Sequence, residues 1–150
     1  MCLGKITRKY SNKEKHIEIK GYKMFHHLKD CEDLMVIRSP FFATIDLPQD
    51  KWLNANANVF DCNCGLEYQK GWHFLPTMKA AKTFASGLSK QIVCILPIKA
   101  RRIIARGYQE SMQPPFYKKE IPVIVAEQIF ILSEELNRFK KEYNYLPEQY

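Results

Sequence analysis

The chain has 150 residues, 46% hydrophobic and 26% charged, enough for one domain with its own core and too few for two ordinary ones. Its formal net charge of +7 favours anionic partners without bearing on the fold. The longest apolar runs, Ile92–Ile98 and Ile121–Ala126, fall far short of the roughly 20 residues of a membrane span, and the first residues lack the apolar stretch of a secretory signal. A cytoplasmic protein is expected, with Cys2, Cys31, Cys62, Cys64 and Cys94 reduced rather than paired in disulfides.

Residues 1–16 are rich in lysine and arginine and poor in large apolar side chains, which predicts a basic, mobile arm. Residues 17–146 are expected to form a single α+β domain, and residues 147–150 a frayed tail. Ile17–Phe25 partly alternates apolar and polar residues and predicts the first strand, with His26 and His27 at its end. Phe41–Leu47 is a second strand candidate between Pro40 and Pro48. A surface loop is expected over Gln49–Asn58, since the Asn-Ala alternation of residues 54–58 offers little to bury.

Asp61-Cys62-Asn63-Cys64-Gly65 reads as a turn before a strand over Leu66–Leu75, interrupted near Gly71. Thr77 is placed to cap a helix in which Met78, Ala81, Phe84 and Ala85 share one face while Lys79 and Lys82 share the other; Gly87 supplies the stop. Ile92–Ile98 predicts a covered strand ending near Pro97, and Arg101–Arg106 a short strand or turn. Tyr108–Lys119, with Pro114-Pro115, predicts an exposed loop. Ile121–Leu132 returns to strand character with a break at Ala126-Glu127, and Ser133 caps a last amphipathic helix carrying Leu136, Phe139 and Tyr143 on one face. Without regular β-α-β alternation, the expected class is α+β: a compact, mixed, mostly antiparallel sheet with one central and one C-terminal helix.

Several chemistries are excluded by spacing. Cys62 and Cys64 are too close for a zinc knuckle and lack a second ligand pair, so no metal is expected. Cys94, inside an apolar strand, is expected to be an inert thiol. No Gly-x-Ser-x-Gly elbow, phosphate-binding Gly-rich loop or dinucleotide fingerprint is present. Arg101, Arg102, Arg106, Lys118 and Lys119, interleaved with Tyr108 and Tyr117, either line a groove for phosphates and stacked bases or form a solvated basic strand edge.

Gly71-Trp72-His73-Phe74, followed by a helix containing Ala80-Ala81-Lys82-Thr83-Phe84, resembles the strand and helix at the centre of the ADP-ribosyltransferase fold. That family has an early-strand histidine, matched here by His26 or His27, and a glutamate opening a late strand, matched by Glu120 before Ile121–Ala126. The resemblance covers roughly Gly21 to Leu132. The Gly-Tyr-Lys-x-Phe and Gly-aromatic-His-Phe phrases are also similar to small proteins of phages and mobile elements. The resemblance implies an ADP-ribosyltransferase-like scaffold in which His26 or His27, with Trp72, His73 and Phe84, contacts a ligand, and Glu120 is the catalytic acidic residue if NAD is the cofactor. Phe84 stands where the family has tyrosine, and the family's His-Gly pair is absent from the first strand. The expected function is therefore binding of a nucleotide, nucleic acid or host protein without catalysis. The alternatives are an active NAD-dependent ADP-ribosyltransferase and a basic nucleic-acid-binding protein.

Overall fold

The computed structural model describes residues 3–14, 16–30, 34–38, 47–55, 71–86, 93–113 and 117–144. They form a mixed α+β structure dominated by one seven-stranded antiparallel sheet. In chain order the strands are β1 (Lys5–Lys9), β2 (Glu18–Asp30), β3 (Leu34–Arg38), β4 (Trp52–Asn54) and β5 (Trp72–Phe74), then helix α1 (Met78–Ser86), β6 (Val93–Gln113), β7 (Tyr117–Ile131) and helix α2 (Ser133–Asn144).

The spine is the long β6–β7 hairpin, paired from Ile98↔Ile131 to Gln113↔Tyr117. The loop expected over Tyr108–Lys119 is thus corrected: both strands run on until close to Pro114-Pro115. Polar residues persist in strand here because the facing strand satisfies their backbone groups, whatever their side chains. β2 pairs with β6 from Glu18↔Arg101 to His26↔Val93, and β3 adds outside β2. On the far side of β7 lie β4, opposite Gln128–Phe130, and β5, opposite Ile124–Ala126. The loop expected over Gln49–Asn58 therefore contains strand β4. Residues 5–9, within the stretch expected as an arm, pair with Ala105–Tyr108 of β6.

Beyond β5 the sheet closes on itself. Tyr22 and Leu75 exchange both backbone hydrogen bonds, at 2.8 Å each, so β2, β6, β7 and the β5 segment form a continuous circuit. The approach requires Gly21, where a Cβ would collide with the Phe74 ring and sit 2.8 Å from Leu75 O.

The same bond explains a proline in mid-strand. Because Tyr22 directs its N–H and C=O toward Leu75, its ladder partner Pro97 needs no amide on the β2 side. On the other side β7 has already ended, since Ile131 pairs with Ile98. Pro97, expected to mark the end of its strand, is instead carried through. Pro122 is accommodated alike: its partner Tyr108 turns its carbonyl to Gly4 N–H, 2.9 Å away, and so away from β7.

The main core lies on one face of the sheet, with Phe25, Phe74, Leu96, Ile98, Ile103, Ile124, Ile129 and Ile131 buried together, and Leu136 of α2 joins it. α1 covers a second cluster, in which Ala81 and Phe84 meet Met24, Leu75 and Ile121. Its Thr77 cap is formed as predicted, Oγ1 accepting from Ala80 N–H at 3.1 Å. The inward face changes parity midway along the hairpin, from Ala100 and Ile129 to Ile103 and Ala126. Between them stands Arg102, with a positive φ of 56°, opposite Glu127. The sequence predicts a break at Ala126-Glu127; β7 runs through it without ending, and the register shifts just beyond, between Ile103 and Ala105 of β6. The candidate strand Phe41–Leu47 up to residue 46, the Cys62/Cys64 turn and the Gly87 stop lie outside the described residues.

Candidate functional site

The residues singled out by the resemblance are distributed as follows. Trp72 is 2% exposed, and its indole N–H donates to Leu53 O at 2.9 Å, tying β5 to β4. His73 is buried, with Nδ1 3.2 Å from Gly71 O. Burial, with the Lys23 ammonium adding to it, pushes the His73 imidazole down to about 3, so it is neutral at physiological pH. Phe84 is 4% exposed, its ring taken up by the α1 cluster. Glu120 is exposed and faces Glu110 across the hairpin, beside exposed Lys119. His26 and His27 lie on β2 opposite Arg38 and Ile37 of β3; their side chains, like that of Lys118, are outside the described set. Trp72, His73 and Phe84 are thus packed into the fold and Glu120 faces solvent.

The arginines separate. Arg101 pairs with Gln128, on the face opposite Ala100 and Ile129, whereas Arg106 pairs with Ile124 of the main core. The two lie on opposite faces of one strand, because the parity change at Arg102 is offset by the register shift between Ile103 and Ala105. Arg102 itself is exposed, 3.8 Å from the Glu127 carboxylate.

Two cross-strand rows on the Arg101 face bring together residues that no local motif connects. Ladder partners share a face, so the register aligns Lys20, Lys99, Phe130 and Trp52 across β2, β6, β7 and β4. The neighbouring row is Glu18, Arg101, Gln128 and Asn54. The Arg101 guanidinium lies 4.1 Å from the Trp52 ring centroid, and the Lys99 ammonium 5.8 Å from that of Phe130. Trp52 and Phe130 meet edge to face at 5.4 Å.

Beneath them runs a hydrogen-bond relay. Arg101 Nε donates to Gln128 Oε1 at 2.5 Å, and Gln128 Nε2 donates to Asn54 Oδ1 at 2.6 Å. Gln128 is 7% exposed, so Arg101 is oriented by a buried partner and no carboxylate neutralises it through this bond. Lys20 is exposed, and Lys99, Arg101, Trp52 and Phe130 are half-buried. None of them belongs to the clusters packed by α1 or α2. The face can therefore present cations and flat π-surfaces together.

Reasoning from sequence missed Trp52, Lys99, Gln128 and Lys23. For Lys23 there was a signal: it occupies the inward phase of Ile19, Gly21 and Phe25. The residue is 4% exposed, its Nζ donating to His73 O at 2.7 Å and lying 5.7 Å from the Trp72 ring. Burial pushes its ammonium down to about 8. The amine caps a β5 carbonyl just before β5 reaches β2.

Cys94 is buried, and burial pushes its thiol up to about 12, the inert character expected of it. Among the described residues no group of three His, Cys, Asp or Glu side chains is placed to hold a metal ion, and no helix is long and apolar enough to cross a membrane. Compared with known proteins, the chain matches no family model, no curated protein and no solved structure.

Proposed function

We propose that this protein binds single-stranded nucleic acid, without catalysis, across the face formed by Lys20, Lys99, Arg101, Trp52 and Phe130. The observation that carries the reading is the Arg101–Trp52 stack held by the buried Gln128 relay. Cations supply sequence-independent attraction to phosphates, and partly open aromatic rings supply stacking that any base can use. Duplex DNA keeps its bases stacked inside and gains nothing from Trp52 or Phe130, which favours the single strand. The net charge of +7 supports the same partner class.

The scaffold is read as ADP-ribosyltransferase-like, adapted to binding. Its support is the order of the histidine-bearing β2, then β5 leading into α1, then the late strand β7, which carries Glu120 close to its start. Burial of Phe84 and exposure of Glu120 favour the binding role over transfer from NAD.

The test is fluorescence anisotropy of a labelled oligothymidylate and an oligouridylate over a series of salt concentrations. Binding should weaken steeply with salt, Trp52→Ala should cost about tenfold, and Arg101→Gln should lower the salt slope by about one. Absence of binding at low salt, or binding indifferent to both substitutions, would defeat the proposal. NAD titrated in parallel is the discriminating ligand: nicotinamide release that disappears in Glu120→Gln would replace this reading with an active transferase.

A further inference from the structure

A second cationic group sits on the other face of β6, where β1 docks. Arg8 of β1 and Arg106 of β6 are ladder partners, so two like charges stand directly opposite, an arrangement that is destabilising unless something intervenes. Tyr10 intervenes. The Arg8 guanidinium lies over its ring, 4.3 Å from the centroid, and Arg106 Nε donates to its hydroxyl at 2.5 Å.

One carboxylate balances the pair. Glu14 accepts from Arg8 Nη2 at 2.6 Å and, through its other oxygen, from Ser11 N–H at 2.9 Å. Those bonds hold its carboxyl below the usual range. Arg106 has no carboxylate partner among the described residues, so the cluster keeps an excess positive charge.

The donors are also oriented. Arg106 spends Nε on Tyr10 and keeps both Nη groups; Tyr10 accepts that bond and keeps its own proton to donate; Arg8 spends Nη2 on Glu14 and keeps Nη1. An acceptor with several oxygens and negative charge satisfies all three at once, which is the chemistry of a phosphate group. Arg8 is 56% exposed at its side chain, so the cluster is reachable from solvent.

We propose that Arg8, Arg106 and Tyr10 form a phosphate-binding site, distinct from the Trp52 face and independent of whether that face binds nucleic acid. The phosphate comes either free or as the 5′-phosphate of a nucleotide. The test follows the arginine side-chain Nε–H signals of the full-length protein by NMR while inorganic phosphate, thymidine 5′-monophosphate or thymidine is added at constant ionic strength, with chloride as control.

Phosphate and the monophosphate should shift the Arg8 and Arg106 signals saturably, and chloride and thymidine should not. Tighter binding of the monophosphate than of inorganic phosphate would identify a nucleotide as the source, and equal binding the free anion. Arg106→Gln should weaken binding about tenfold; Arg8→Gln, at an exposed position, should do the same and serves if the first variant is poorly folded. Trp52→Ala should leave the shift intact. No saturable shift, the same shift with chloride, persistence in both arginine variants, or loss in Trp52→Ala would each overturn the proposal.

Discussion

Lys23 stands between Gly21 and Phe25 on the inward phase of β2, with its ammonium pushed down to about 8 by burial. In the unfolded chain the same amine titrates near 10.4. Below pH 8 both states carry the proton and the fold bears the full cost of burying a charge. As pH rises from about 8 to about 10.4 the fold has shed a proton that the unfolded chain still holds, so stability rises, by on the order of 3 kcal/mol. Urea unfolding of the wild type against Lys23→Met should show the two curves converging or crossing over that window, and parallel curves would mean that the amine is hydrated. His73 acts with the same sign in a lower pH window. Its imidazole, pushed down to about 3, leaves the unfolded chain binding more protons below about 6.5, so stability falls as pH drops from there toward 3. The fall should be much reduced in His73→Gln. Lys23 was legible, since a lysine on the apolar phase of a strand is an anomaly. Gln128 was not, because nothing local distinguishes a glutamine that will orient an arginine 27 positions away.

At the scale of elements, the caps and glycines show how much of each helix and strand end is written nearby. The Thr77 cap and the apolar face of α1 follow from spacing alone. For α2, Ser133 is the predicted cap, yet its own N–H is held by Asp50 Oδ1 at 3.0 Å from 83 residues upstream. Asp50 also sits at a φ of 58° and returns its N–H to Ile131 O at 2.8 Å, so a single residue fastens the loop before β4 to the end of β7. Its carboxyl is held below the usual range by Ser133. Asp50→Ala should lower the midpoint of thermal unfolding, because it removes the acceptor of Ser133 N–H and places alanine at a positive φ. Asp50→Asn should lose less, because asparagine tolerates the left-handed backbone and keeps an acceptor oxygen. Gly107 is the corresponding residue for β1: a Cβ there would overlap Lys5 O. Gly107→Ala should displace β1, cost about 2–4 kcal/mol, and remove amide protection at Lys5–Lys9 in hydrogen exchange. Phosphate binding at Arg8 and Arg106 should be lost with it.

Across the whole molecule, class and topology separate. The α+β class, both helices and the positions of β2, β5 and the start of β6 follow from periodicity and turn residues. The pairing does not, because it depends on contacts between distant segments: β1 with β6, β4 and β5 both with β7, and Tyr22 with Leu75. Both rows of the candidate nucleic-acid face are products of that pairing, which is why Trp52 and Lys99 gave no signal as a pair. The prolines misled for the same reason, since whether a strand can pass through Pro97 depends on which neighbour has already ended. The placement of β1 has a consequence in time as well. Thr7 and Arg106 are 99 residues apart, so a chain synthesised from its N-terminus holds its first strand without a partner until most of β6 has been made. During that interval the positive residues of β1 are exposed on the nascent chain, and β4 and β5 lack their ladder partner until later still, because β7 is made after β6.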